Sequence, residues 1–579
     1  MEGKQMSIRF LECIGPFVLG VILVGGFSGC ARKQPADLVL TNGKIITLEE
    51  ATPVAGAMAV RGDRIVAVGP VKKIKAYIGK STRVIDLKGQ TAIPGFIDSH
   101  AHFTGVGEAR MMLDLTKAKT WEEIVALVGE AARQARPGEW IRGRGWHQEK
   151  WDKRPEPNVD GLPFHESLSD ASPNNPVLLE HASGHSCLAN AKAMELAGIT
   201  SKTPNPPGGE IVRDGRGNPI GAFRETAQDL VGRSFYGSEL EKTEAERIEG
   251  EKKAIELAAE ECLSKGITSV HDAGASFWTI DIYRKLAEQG KLGIRIYAMI
   301  SEPNSSLSQR LSQYRIIGAG QNHLTVRAIK RLLDGALGAH GAWLLEPYAD
   351  LPVSTGLNTM PVEELSETAR LAIENDFQLC THAIGDRANR EILDIYERIF
   401  KGHPEKSHLR WRVEHAQHLA ASDISRFGAL GVIAAMQGIH CTSDGPWVIG
   451  KLGDKRAREG AYAWRSIMDE GGLICNGTDA PVEDIDPIPC FYATVTRKMK
   501  DGKAFFPEQR LSREEALRTY TINGAYAAFQ EDIVGSLKPG KLADITVLSK
   551  DILTVPEEEI LATEVRLTIV GGEVCFEKK

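Results

Sequence analysis

The sequence predicts an α/β fold: a (β/α)8 TIM barrel carrying a composite β-sandwich domain, built from both chain ends, with a large insertion after the first barrel strand. Three observations point there. Short apolar runs alternate with helical segments through the middle of the chain, which is the pattern of a parallel sheet wrapped in helices. Brief alternating strands with Gly turns occupy both ends. Between the first and second strand candidates lies a gap, Phe103 to Gly266, far too long for one connecting loop.

The elements follow in order. Residues 1–30 have the layout of a secretory signal: Lys4 and Arg9 precede an uncharged stretch, Cys13 to Gly29. Small residues then lead to Cys30, and Ser28-Gly29-Cys30 resembles the bacterial lipobox. The stretch is short for a membrane span of ~20 residues and is broken by Gly15, Gly20, Gly25 and Gly26. Export with a lipid anchor on Cys30 is therefore expected, giving a membrane-anchored, periplasmic or extracellular protein. Residues 31–36 form a tether. Residues 37–90 make the first part of the sandwich, with turns at Asn42-Gly43 and Arg61-Gly62-Asp63; Asn-Gly between apolar runs signals a hairpin. Residues 536–579 supply the second part.

The barrel is placed at 91–535. Its eight strand candidates are Ala92–Ile97, Ile267–His271, Ile294–Ile300, Thr325–Lys330, Phe377–His382, Leu409–His415, Gly431–Met436 and Leu473–Asn476. Helical stretches such as Val362–Asn375 and Arg387–Phe400 separate them. The insertion, about 103–266, is expected to form a subdomain over the barrel mouth.

Composition excludes several classes. With 579 residues the chain exceeds one compact core, and a net charge of -7 is mild for that length. Neither a basic stripe nor an aromatic-basic interleave is present, so nucleic acid is not an expected partner. The cysteines beyond residue 30 are scattered without a C-x-x-C pair, which argues against a disulfide framework or a cysteine-zinc site. A small molecule is the expected partner, and a homo-oligomer is left open.

Barrel chemistry sits at the C-terminal ends of strands. Those ends hold His100 and His102, then Lys330, His382, His415 and Asp479. His100 and His102 are two apart on extended chain, so their imidazoles share one side and can serve one metal ion. A single such residue reads as a satisfied core group. Six on five strands read as a metal site.

The ordered motifs identify a family. Pro94-Gly95-Phe96-Ile97-Asp98-Ser99-His100-Ala101-His102, Lys330 with Asp334-Gly335-Ala336-Leu337-Gly338, and His382-Ala383-Ile384-Gly385-Asp386-Arg387-Ala388 come first. Arg412-Val413-Glu414-His415-Ala416-Gln417-His418, Met436-Gln437, Trp464-Arg465, Gly477-Thr478-Asp479-Ala480-Pro481-Val482-Glu483 and Gly540-Lys541-Leu542-Ala543-Asp544 follow. Over about residues 36–579 the chain resembles the amidohydrolase superfamily, and within it amidohydrolase family 3, which includes N-substituted formamide deformylase-like enzymes. The resemblance implies one or two divalent metal ions, usually zinc. His100 and His102 would hold the more buried ion and His382 and His415 the outer one. Lys330 would bridge them when carbamylated, and Asp479 would contact metal and handle the proton. Such an ion activates water and polarises a carbonyl, and a carboxylate in reach moves the proton.

The expected activity is thus hydrolysis of an amide-like C–N bond, linear or cyclic. Deamination or ester hydrolysis on the same site is the first rival, and a non-catalytic binding protein with a structural metal is the second. Candidate substrate contacts are His185 in the insertion, Glu225, His440 and Arg465. His271 joins them, either as a substrate contact or as an orienting partner for a ligand. His340 stands where relatives often carry Arg, so a preference tied to that Arg is not transferred.

Overall fold

The computed structural model describes residues 33–578 apart from Ser183 and His185, and the side chain of Glu149 is also left aside. The signal and lipobox expectations for 1–30, and His185, lie outside the described residues.

Eight parallel strands form the barrel: β1 (Phe96–Ala101), β2 (Ile267–Ala275), β3 (Arg295–Ile300), β4 (Leu324–Leu332), β5 (Gln378–Ala383), β6 (Arg412–His415), β7 (Ile433–Gln437) and β8 (Ile474–Gly477). Each pairs in parallel with the next. The register brings the functional ends level: Ala101 faces Asp272, Leu332 faces His382, Ala383 faces His415, and Gln437 faces Gly477. Closure is made just beyond β8, where the Asp479 N–H donates to His100 O (2.7 Å) and the His102 N–H to Ala480 O (2.7 Å). Asp98 ties the same seam, accepting from Thr478 Oγ1 at 2.7 Å and from the His100 N–H at 3.0 Å. Gly477 lets the strands approach this closely, since a Cβ there would sit 2.4 Å from His100 N.

The first apolar run, Ala92–Ile97, is not one strand. Thr91–Pro94 belongs to the composite sheet, pairing with Lys44–Ile45 and with Ile545–Leu548. The barrel strand begins only at Phe96. Gly95 is the crossing point, where a Cβ would lie 2.2 Å from Thr268 Oγ1. Apolar content alone does not reveal the break, because both halves are buried.

The composite domain is one eight-stranded sheet, containing five strands from the N-terminal end and three from the C-terminal end. Leu38, Leu40, Ile45 and Met58 pack there with Leu537, Ile545, Val547 and Ile569. The hairpin expected at Asn42-Gly43 is absent. Leu38–Ile46 runs as a single strand with an irregularity between Thr41 and Ile45, because both halves pair with Val54–Arg61. Asn42 takes up the irregularity at φ 58°. A buried ion pair, Arg295 Nε to Asp544 at 2.6 Å, fastens β3 to this sheet.

The insertion folds around its own six-stranded sheet and two apolar clusters, one centred on Trp146, Leu179 and Leu188, the other on Phe223 and Val231. It reaches the barrel rim at Arg144, whose guanidinium lies 3.4 Å from Pro481 O. Among the described residues no helix is long and apolar enough to cross a membrane. The seven described cysteines are all free, and six of them are buried.

Candidate metal centre

Five of the strand-end side chains named from the sequence share one mouth. His100 and His102 end β1, and Asp479 follows β8. The Asp479 Oδ1 atom lies 3.4 Å from His100 Nε2 and 3.2 Å from His102 Nε2. His415 ends β6 with its ring centroid 4.8 Å from that of His100, and the His382 ring stands edge-on to His415 at 4.4 Å. His415 and Asp479 both adopt left-handed backbone, φ 71° and 60°. Non-glycine residues in that region are uncommon and concentrate at functional sites.

Hydrogen bonds on the far nitrogens set which face each imidazole offers. Buried His100 Nδ1 contacts Glu414 Oε2, an acceptor, so the proton sits on Nδ1 and Nε2 presents a lone pair. In the neutral ring that lone pair faces the Asp479 carboxylate oxygen, an arrangement satisfied by either a proton or a metal ion between the two. The separations of 3.2 and 3.4 Å are long for N–H···O bonds. They match the ~3.3–3.4 Å between ligands of a tetrahedral ion with bonds of ~2.0–2.1 Å. A proton can fill the same position, and then both groups are charged. Burial and Lys330 work against a charged His100, but Glu414 and Asp479 outweigh them and raise its pKa. Asp479 is held well below the usual carboxylate range: burial opposes this, and the hydrogen bonds from His100 and His102 overcome it. His415 Nδ1 is engaged by Gln437 Oε1 at 2.7 Å, which likewise leaves Nε2 for the mouth. Burial and His382 push the His415 pKa well down, keeping it neutral. The donor set therefore fits a divalent cation.

Lys330, fully buried on β4, places Nζ 3.3 Å from Ala273 O. It is near enough to His100, Glu414 and His415 for its charge to bear on all three. Burial lowers its pKa. His382 turns Nε2 toward Asp334 Oδ1 at 3.5 Å. Asp334 itself accepts the N–H groups of Trp343, Ile384 and Gly385, and burial pushes its carboxyl up to about 7.

The secondary candidates divide. His440, first residue of the helix His440–Leu452, stacks parallel to His415 and points Nε2 at Asp479 Oδ2, 4.0 Å away. His271 sits where the orienting alternative would place it. It is walled into the barrel, where Nδ1 accepts from Arg412 at 3.0 Å. The Arg465 guanidinium pairs with Glu515 (2.7 Å) and Asp469 (3.3 Å). Glu225 ends a strand of the insertion sheet, at φ 49°.

Sequence reasoning missed the layer beneath the ligands. Arg412 and Glu414, both fully buried, pair at 2.7 Å, and Arg412 also reaches Ser99 O at 2.6 Å. Burial opposes the Glu414 charge, but Arg412 and His100 hold its carboxyl far below the usual range. The signal was two opposite charges two residues apart in an otherwise apolar strand.

The fold is similar to that in a crystal structure of an uncharacterized metal-dependent hydrolase from Pyrococcus horikoshii, with a TM-score of 0.72 and 26% identity over 90% of this chain and 99% of that one. The molecule is accordingly a metal-dependent hydrolase, taking a divalent ion. Residues 83–576 match the amidohydrolase family, and the chain belongs to that family. It is 34% identical to LONG AFTER FAR-RED 3 of Arabidopsis thaliana, across 93% of this chain and 92% of the relative. It is 26% identical to an N-substituted formamide deformylase of Arthrobacter pascens, across 94% of this chain and 99% of the relative.

Proposed function

We propose that the enzyme hydrolyses an amide-like C–N bond, with N-substituted formamides and N-acyl amines as the substrate class. The observation that carries this is the Asp479 carboxylate, with Oδ1 3.4 and 3.2 Å from the Nε2 atoms of His100 and His102 and Oδ2 turned to His440. The deformylase relative supports the choice of bond. When bound, a divalent ion, with zinc favoured by the histidine-rich donor set, supplies Lewis-acid polarisation of the scissile carbonyl and acidifies water.

The remaining work belongs to the chain. His100 and His102 orient the site, with Glu414 fixing the His100 tautomer. Asp479 takes the proton from the attacking water and delivers it to the leaving nitrogen, which must gain a proton to depart as an amine. Lys330 serves as a carbamate. Its burial favours the neutral amine that reacts with carbon dioxide, and the resulting anion suits a position among cations. The insertion, touching the rim at Arg144, shapes the substrate pocket. Residues 1–30 direct export, with Cys30 as the anchor, a reading supported by their sequence alone and tested by cell fractionation.

A panel of formamides, N-acyl amino acids and cyclic amides tests the activity. Equimolar amine and carboxylate are expected. Ammonia without a new carboxylate would give the site to deamination, and turnover of esters alone would give it to an esterase.

A further inference from the structure

We infer that His440 is a metal ligand, completing with His415 and Asp479 Oδ2 a second cation position beside the one that His100 and His102 define. The inference rests on the metal-dependent reading of this mouth and adds a ligand from β7 to a set otherwise drawn from β1, β4, β5, β6 and β8.

Four observations carry it. His440 is 8% exposed, and its Nε2 atom is buried with no hydrogen-bond partner. A buried imidazole nitrogen aimed at a carboxylate is costly to leave unsatisfied. The 4.0 Å to Asp479 Oδ2 is too long for a hydrogen bond. It exceeds the ~3.4 Å between tetrahedral ligands by about half an ångström, a gap that a small turn of either side chain closes around an ion.

Second, His415 is oriented to match. With Nδ1 held by Gln437, its Nε2 edge faces the mouth. The His415 and His440 rings lie within 8° of parallel, with centroids 6.1 Å apart. One donor atom from each of His415, His440 and Asp479 falls within 4.8 Å of the others.

Third, Asp479 divides its oxygens. Oδ1 serves the β1 imidazoles and Oδ2 turns to His440. A carboxylate shared in this way is how two ions ~3.5–4 Å apart are held together.

Fourth, there is charge to balance a second cation. Asp444 lies four residues on, on the same helical face as His440. Its Oδ2 accepts from Tyr462 Oη at 2.6 Å and Gln417 Nε2 at 3.2 Å, which fixes the carboxylate close enough to His440 for their charges to interact.

The test is metal content per chain after zinc loading and dialysis, for the full-length protein and its His440→Ala and His440→Gln variants. Circular dichroism serves as the fold check, and cobalt absorption spectra as a second readout. About two ions per chain are expected in the parent and about one in each folded variant, with loss of part of the cobalt d–d intensity. Folded variants that keep the parent's metal content would overturn the inference, as would a parent holding a single ion. A parent that binds no metal would overturn the metal-dependent reading as well, so the two failures are distinct. If His440→Ala does not fold, the His440→Gln variant, which keeps a polar side chain there, decides the matter.

Discussion

Glu414 and His100, 314 residues apart in sequence, are in contact at the bottom of the barrel mouth through a fully buried carboxylate–imidazole hydrogen bond. This contact decides which nitrogen of His100 looks outward. Arg412 in turn neutralises Glu414 and is itself satisfied by Ser99 O and His271. The layer below the ligands thus links Glu414 through Arg412 to Ser99 and His271 rather than leaving it an isolated pair.

Replacing Glu414 with Gln preserves volume but weakens the hold on the His100 tautomer. Loss of such an orienting partner lowers metal affinity ~10–100-fold. Chelator competition against the parent protein measures it, and an unchanged affinity would show that Glu414 is structural only. Glu414→Ala is the poorer choice, because stranding Arg412 in the core costs about 3–5 kcal/mol.

Asp479→Asn keeps shape and removes both the charge and the proton acceptor. Turnover is expected to fall by ~10²–10⁴, the contribution of a positioned general base. Activity within a few-fold of the parent would remove Asp479 from the proton path.

Lys330→Ala removes the side chain proposed to serve as a carbamate. Activity should be lost and partly regained on adding acetate or formate, whose oxygens can enter the vacated space. Stripping carbon dioxide during reconstitution of metal-free parent enzyme should slow its recovery, with bicarbonate restoring the rate. Indifference to both treatments would show that Lys330 acts as an unmodified amine.

Glu251, on the long helix Glu244–Ser264, makes a separate pH prediction. Burial raises its carboxyl from 4.5 to about 7, against a hydrogen bond from Thr279 Oγ1 at 3.0 Å. Between those values the folded chain keeps a proton that the unfolded chain has lost. Stability therefore falls as pH rises across that window and levels off above it. In Glu251→Gln that decline in melting temperature should flatten. An equal slope in the variant would assign the effect to other groups.

Much of this was legible in the sequence. Strand ends are marked by where apolar runs stop, and barrel chemistry sits there, so His100, His102, His415 and Asp479 could be named before their proximity was known. The break at Gly95 and the continuous strand through Asn42 were not legible. Both depend on which neighbour each half pairs with, and apolar content is the same either way. The direction of Arg465 was not legible either, because a residue on a helix faces whichever way the helix phase turns it, here toward Glu515. Arg412 and Glu414 were visible only as an oddity, charges inside a buried strand, and their role needed the register of β6 against β5 and β7.

The most direct measurement is anomalous diffraction at the zinc edge from crystals of the purified, metal-loaded protein. A peak is expected at bonding distance, ~2.0–2.1 Å, from the Nε2 atoms of both His100 and His102 and against the Asp479 carboxylate. Density showing those two imidazoles hydrogen-bonded to protein or solvent, with the anomalous signal elsewhere or absent, would contradict the account.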